Sequence, residues 1–410
     1  MAEQSKPKKI IYVENGIGYG GAIICLRHLV RNLDRTQFEP MVVTGRSGPQ
    51  YESIAEEALW RHIPDRRIDI VALRTKLNAI GWLNKVSFLR YVANQVAARA
   101  DDLCNFLPFF IQLLWTAWRF QADLIHANNE PLCNRAALLV AKMLKIPGVC
   151  HVRGDPNTSK LGRWAYSLTD HFISVSHWVA DCMRRKLAIP DTKISVVYDG
   201  IALDKLELNA DGKTFRKDFN IPEQAFAVGL VGLLIPWKGQ ELFIEAARSL
   251  KNQIPDLKMI IIGGTPDDCL GYEKKLRRQV DEYGLSDMVV FTGHIGKMEA
   301  VYKGLDIVVS ASTAPEPLGT VIIEAMAMGR PLIGPNHGGA AEMLTHEEHG
   351  LLFVAGNSTE FAIAVQRLYQ NPELANSIGN NAQKKAFATF SVFSHTENVQ
   401  NVYKSLLKSN

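Results

Sequence analysis

Short apolar runs that stop at Gly or at polar loops alternate along the whole chain with longer stretches of helical period. The second half shows this most regularly. Ala225–Leu233 predicts a buried strand, followed by a helix from about Gln240 to Leu250; Lys258–Gly264 predicts the next strand, and Gly271–Tyr283 its helix. Met288–Phe291, Ile307–Val309 and Pro331–Ile333 predict further strands, with helices near Met298–Lys303 and Thr320–Met328 between them. In the first half the candidate strands are Ile10–Val13, Glu39–Val43, Leu124–His126, Val149–Val152, His171–Val175 and Ile194–Tyr198. Such alternation implies right-handed crossovers and hence doubly wound parallel sheets.

At 410 residues the chain exceeds what one core supports, so two α/β domains are expected. Turn chemistry at Asp211-Gly212-Lys213 and Asn220-Ile221-Pro222 places their junction near residues 199–222. The reading is a first domain over 1–200, completed by a C-terminal helix at about 388–410, and a second over 201–387. Ligands of open parallel sheets sit beyond the carboxyl ends of the strands, which puts the expected active site in a cleft between the domains.

Hydrophobic residues at 47%, charged residues at 21% and a mean hydropathy of −0.04 exclude a disordered chain and one built of membrane spans. The six cysteines form no C-x-x-C, so neither a zinc knuckle nor a disulfide framework is indicated, and they read as buried thiols in a reducing compartment. The polar N-terminus runs directly into Ile10–Val13 without a secretory apolar region, and a cytoplasmic protein is expected. Charge is unevenly shared. Residues 1–200 carry 26 Lys and Arg against 18 Asp and Glu, whereas residues 201–410 carry 20 against 24. The halves differ in sign, and so they are expected to differ in partner.

The most informative chemistry lies in the segment from Glu316 to Gly329, EPLGTVIIEAMAMG. Glu316 falls in a Pro- and Gly-rich loop after a strand, and Glu324 lies one turn inside an apolar helix, where a carboxylate needs a hydrogen-bond partner. Gly319 and Thr320 offer backbone N–H groups at the helix start, a place suited to a phosphate. A structural Arg on Glu324 and a solvated Glu316 would satisfy the same pattern. Lys238, in GLLIPWKGQ, stands at another helix entrance, where an ammonium either reaches a bound phosphate or is simply solvated. That segment lacks the G-x-x-x-x-G-K-[ST] pattern, which disfavours ATP-type phosphate binding. Asn15–Gly21 is glycine-rich after the first strand, yet its spacing departs from G-x-G-x-x-G, so a nicotinamide dehydrogenase fits poorly.

Taken together, these motifs resemble the retaining GT-B glycosyltransferases, specifically glycosyltransferase family 4. The likeness covers most of the chain and is strongest over about 225–355. It rests on Glu316 and Glu324, on Pro331, Gly338-Gly339, Glu342 and His349–Phe353, and upstream on Gly20-Gly21, Ser174-Val175-Ser176 and Asp199-Gly200-Ile201. The resemblance implies two Rossmann-like domains facing across a cleft, the first for the acceptor and the second for a nucleotide diphosphate sugar. It implies that Glu324 binds ribose hydroxyls and Glu316 the hydroxyls of the donor sugar. The Gly319 and Thr320 amides, with Leu318 in the same loop and Lys238, would hold the diphosphate, and Gly20 and Gly21 would close over it. His151 is similar to the family histidine that faces the donor sugar, which makes His151, Lys238 and Glu316 the expected catalytic residues. Loops near Gly263-Gly264 and Gly293-His294-Ile295 would meet the base and sugar. No metal or other cofactor is implied, and the nucleotide sugar is a co-substrate. One departure stands out: the family commonly has Arg where this chain has Leu233, and Arg153, Lys160 or Arg163 could supply the missing charge.

Between Arg61 and Arg99 eight basic residues (Arg61, Arg66, Arg67, Arg74, Lys76, Lys85, Arg90, Arg99) stand against Asp65 and Asp69, interleaved with Trp82, Phe88 and Tyr91. A basic helix of this kind suits either a peripheral contact with an anionic membrane or lipid-linked acceptor, or a core-facing helix with a solvated back. Leu103–Trp118 is the most apolar stretch but is too short and interrupted to span a bilayer; it reads as a buried helix or as part of the same interfacial face. An acidic second half argues against nucleic acid. The expected activity is transfer of a sugar, with retention, to a glycan or lipid-linked saccharide at the cytoplasmic membrane face. A non-catalytic GT-B partner subunit and a nucleotide-sugar epimerase are the alternatives.

Overall fold

The computed structural model describes residues 6–16, 20–70, 72, 75 and 87–408. Among them the chain forms two compact units. The first comprises the chain up to Val175, Val179–Val197 and the segment from Thr396; the second comprises Ser176–Trp178 and Tyr198–His395. The divide thus falls at Val197/Tyr198 instead of 200/201, and the returning segment begins inside the helix Val392–Lys408 instead of near 388. The physical reason is packing: Val399, Val402 and Tyr403 join the first unit's core, whereas Phe390 is buried in the second.

The first unit is built on a seven-stranded sheet: β1 (Lys8–Glu14), β2 (Phe38–Thr44), β3 (Leu59–His62), β4 (Leu124–Ala127), β5 (Gly148–Val152), β6 (His171–Ser174) and β7 (Ile194–Val196). Their order is β3-β2-β1-β4-β5-β6-β7, and the pairings are parallel. Ile10–Val13 is wholly buried, as a strand covered on both faces must be. One face packs Ile10 and Tyr12 against Ile23, Leu26 and Val30 of the helix Gly21–Asn32. Arg61, expected on a basic helix, lies on β3, whereas Arg90 and Arg99 lie on the helix Ser87–Asp101.

The second unit holds β8 (Phe226–Val231), β9 (Leu257–Ile262), β10 (Val289–Gly293), β11 (Ile307–Val309), β12 (Leu332–Pro335) and β13 (Leu351–Phe353), ordered β10-β9-β8-β11-β12-β13 and parallel throughout. The helix Gln240–Leu250 buries Leu242, Phe243, Ile244 and Leu250, each worth about 1.5–3 kcal/mol relative to exposure. In both sheets the strand order reverses beside the first strand of the unit, between β1 and β4 and between β8 and β11. Those switch points open crevices at the carboxyl ends of the strands, which is where the candidate residues gather.

Candidate active site

In the second unit the turn after β8 is fixed by backbone fit. Gly232 has φ +154°, and its N–H donates to Ile262 O at 2.9 Å. A Cβ on Gly263 would fall 2.0 Å from Gly232 O, and one on Gly239 would fall 2.0 Å from Ala311 O, so neither position admits a side chain without moving main chain. These glycines let the loop 232–239 descend tightly onto β9 and β11 and bring Lys238 over the site. Buried Gln240 locks the turn, its Nε2 donating to Leu233 O at 2.9 Å.

Glu316 enters from the loop after β11. Its Oε2 accepts from Lys238 Nζ at 2.7 Å and its Oε1 accepts from the Ser312 hydroxyl. Lys238 also lies 4.7 Å from the Trp237 ring centre. The glycine pair after β12 explains how the loop is held. A Cβ on Gly338 (φ +60°) would come 2.8 Å from Glu316 N and O, and Gly339 N–H donates to Glu316 O at 2.8 Å. Glu316 is therefore pinned by its main chain and paired by its side chain, unlike the solvated alternative.

Glu324 sits in the helix Thr320–Ala327, among buried Ile322, Ile323, Ala325 and Met326. Its partner is a phenol and not an arginine: Tyr302 Oη donates to Glu324 Oε2 at 2.6 Å. Burial pushes the Glu324 carboxyl above its ordinary value, Tyr302 opposes this, and Glu299 adds to it. Gly319 precedes the helix, and the depression at this end is lined by Lys238, Ser312, Glu316, Gly319 and Thr320, with Lys238 its one cation among the described residues. Leu318 packs against the core beneath. Beside it stands His337, unremarked in the sequence, whose imidazole is held below its ordinary value by burial. Gly263 N–H donates to Gly293 O at 3.0 Å and Gly264 abuts exposed His294, so the loops expected near the base and sugar do lie together. Among the described residues, no three of His, Cys, Asp and Glu gather as metal ligands.

Two family models match the chain: Glycosyltransferase Family 4 over residues 19–205, and glycosyl transferases group 1 over 211–385. The chain is a GT-B glycosyltransferase of the family 4 and group 1 type. It is 29% identical to the Bacillus subtilis protein YtcC over 70% of this chain and 73% of that one. It is 23% identical to the N-acetyl-alpha-D-glucosaminyl L-malate synthase of Bacillus anthracis, over 80% of this chain and 87% of that one. Its fold matches that of Anabaena HepE, solved in complex with UDP, with a TM-score of 0.77 at 22% identity, over 97% of this chain and all of that one.

The glycosyltransferase's first unit gathers polar groups at its own switch point. Glu14, ending β1, is buried and accepts from Gly16 N–H at 2.6 Å, from Asn129 Nδ2 at 2.8 Å and from Asn128 Nδ2. Burial raises its pKa, with Asn128 the largest opposing influence. Asn128 Oδ1 in turn accepts from Arg153 at 2.6 Å, and Arg153 Nη2 lies 3.2 Å from Nδ1 of buried His151 at the end of β5. A guanidinium only donates, so Nδ1 accepts and the His151 proton resides on Nε2. Sequence reading missed Glu14 and the asparagine pair. The available signal was a polar residue directly at the end of each of two strands flanking the sheet's reversal.

Gly20 caps the helix Gly21–Asn32, and added Cβ atoms at Gly20 and Gly21 would meet nothing within 4 Å among the described residues. Arg66, Arg67 and Arg90 are described residues of this unit; buried Asn105 accepts from the Arg67 N–H at 2.8 Å. Arg74, Lys76, Trp82 and Lys85 lie outside the described residues.

Proposed function

We propose that this glycosyltransferase moves a sugar, with retention and without a metal, from a nucleoside diphosphate sugar to a glycan or lipid-linked saccharide. The reading is carried by one observation: two carboxylates eight residues apart, Glu316 and Glu324, flank the start of the helix Thr320–Ala327, with the Lys238 ammonium against the first of them. Glu324 binds the ribose, and Glu316 the donor-sugar hydroxyls. The helix-start amides and Lys238 receive the diphosphate. As the bond to the leaving phosphate breaks, charge grows where those dipoles and the ammonium already point, which stabilises the transition state beyond the ground state. The solved complexes of HepE with UDP and with UDP-glucose support a nucleotide-sugar donor by analogy of fold. In the first unit His151, presenting Nε2–H, is the residue that addresses the sugar. The acceptor attacks from the leaving-group face, and the departing phosphate takes its proton.

The test is a thermal-shift panel of UDP-, GDP- and ADP-sugars followed by product analysis with the donor that binds. Transfer with the donor's anomeric configuration kept is expected. An inverted product removes the retaining mechanism, isomerised donor without an acceptor indicates an epimerase, and turnover unaffected by both Lys238→Ala and Glu316→Ala leaves the site without a role.

A further inference from the structure

Ser87–Asp101, a π-type turn over Asp102–Phe106 and Leu107–Phe120 run as one continuous helical rod in the first unit. Its inner side is core: Phe109, Leu113, Ala117 and Phe120 are buried at helical spacing. Its outer side is just as apolar. Leu103, Leu107, Ile111, Trp115 and Trp118 repeat every three or four residues and are all exposed, Trp118 to 67%. The row continues toward the start of the rod through Val96, Val92 and Phe88, the last exposed to 69%. At 1.5 Å per residue this stripe is about 45 Å long. Scattered exposed apolar residues are ordinary, whereas a contiguous row of this length marks a surface that is covered in use.

We infer that this stripe is a monotopic membrane-docking face that lays the first unit on an anionic bilayer. The charge around it selects that occupant. Residues 61–120 contain nine Lys and Arg against four Asp. The guanidiniums of Arg61 and Arg119 lie 5.0 and 5.5 Å from the Trp115 ring centre, so cations border the apolar row itself. The acids on the rod are already engaged: Asp102 with Arg99 and Arg135, and Asp101 with the Asn105 amide. Tryptophan and arginine side by side on an amphipathic helix match the boundary between acyl chains and anionic headgroups. A two-fold contact with a second copy would instead set the same arginines against each other. Among the described residues no helix is long and apolar enough to cross a membrane, so the contact lies in the interface plane. The inference stands on the first unit alone and survives or fails independently of the donor site.

The experiment is co-sedimentation of the full chain with phosphatidylcholine vesicles, alone or carrying about 30 mol% phosphatidylglycerol. The protein is expected to sediment with the anionic vesicles only, less so at high salt, and Ile111→Asp/Trp118→Asp is expected to cut the bound fraction at least about tenfold while donor binding by thermal shift is kept. If that variant melts without cooperativity, Trp118→Ser carries the same readout with a smaller loss. Failure of the wild-type chain to sediment, or undiminished sedimentation of the variants, overturns the inference. So does a dimer in sedimentation velocity that these substitutions turn into a monomer, since the stripe would then be a self-interface.

Discussion

Replacing Glu316 by Gln separates the two tasks that meet at its carboxylate. In the structure the Glu316 side chain is 16% exposed and that of Lys238 18%, so the pair is sheltered without being dry, and its net stabilisation is modest. The amide keeps an acceptor for Ser312 but loses the charge that holds the Lys238 ammonium and, in the proposed role, the sugar hydroxyls. A hydrogen bond to a charged group contributes about 1.5–3 kcal/mol against about 1 for a neutral one, so the donor sugar should lose about 1.5 kcal/mol, or roughly tenfold in Kd. The bare nucleoside diphosphate should lose nothing, and binds more tightly if the freed ammonium turns to its phosphates. Isothermal titration of Glu316→Gln with both ligands measures the split. Equal losses for the diphosphate and its sugar ester would refute the assignment to the sugar, because the whole effect would then run through Lys238 and none of it through the sugar hydroxyls.

Lys238→Met should lower kcat by about 10²–10³ with a smaller change in KM, as loss of a group aimed at developing charge does, and steady-state kinetics check the ratio. Glu324→Gln tests the buried carboxyl. A raised folded-state pKa means its stabilising contribution is complete below the ordinary value and is lost as pH rises through the raised one, so the variant should melt like the wild type near pH 4.5 and higher than it at pH 7.5. The same variant should bind the nucleotide more weakly. Gly239→Ala, at φ +82° and facing Ala311 O, should cost about 3 kcal/mol or more in chemical denaturation and move Lys238 with it.

The strands β8 to β12 and the helix Gln240–Leu250 were legible because each carries an unbroken apolar run or stripe closed by Gly or polar residues. β3 was not: Leu-Trp-Arg-His at the sheet edge is half exposed and shows neither alternation nor an apolar run. β13 is three residues long and gives too little pattern to separate from a loop. At the site, residue types were visible and their pairings were not. Tyr302 and Lys238 precede Glu324 and Glu316 by 22 and 78 residues, and only the parallel register of β8 and β11 makes neighbours of the latter pair. Gly338-Gly339 stands out in the sequence as a motif, but its purpose, contact with the Glu316 main chain, is a property of the packed loop. The sequence of Leu103–Trp118 fits either a buried helix or an interfacial face. In the structure one face is core and the opposite face is exposed, because apolar residues occupy both sides of the rod.

Leu233, where the resemblance leads one to expect Arg, has a sharper meaning once the loop is seen. The residue is 52% exposed, and its position is set by main chain: Gly232 before it, Gln240 on its carbonyl and Gly263 beneath. Nothing in that arrangement depends on the side chain at 233, so the missing cation is a local loss of charge and leaves the loop's shape intact. Of the three basic residues considered as substitutes, Arg153 is hydrogen-bonded to Asn128 and His151, Arg163 donates to Thr158 O at 3.1 Å, and Lys160 is exposed at the start of the helix Lys160–Ser167. On the proposed reading, Lys238 is the second unit's cation for the diphosphate, with the helix-start amides as its support. Leu233→Arg should therefore be tolerated by the fold and tighten nucleoside diphosphate binding by about 1 kcal/mol, or roughly fivefold, with a steeper dependence on salt. An unchanged Kd at low ionic strength would show that the diphosphate does not lie against this loop, and the role given to Lys238 would fall with it.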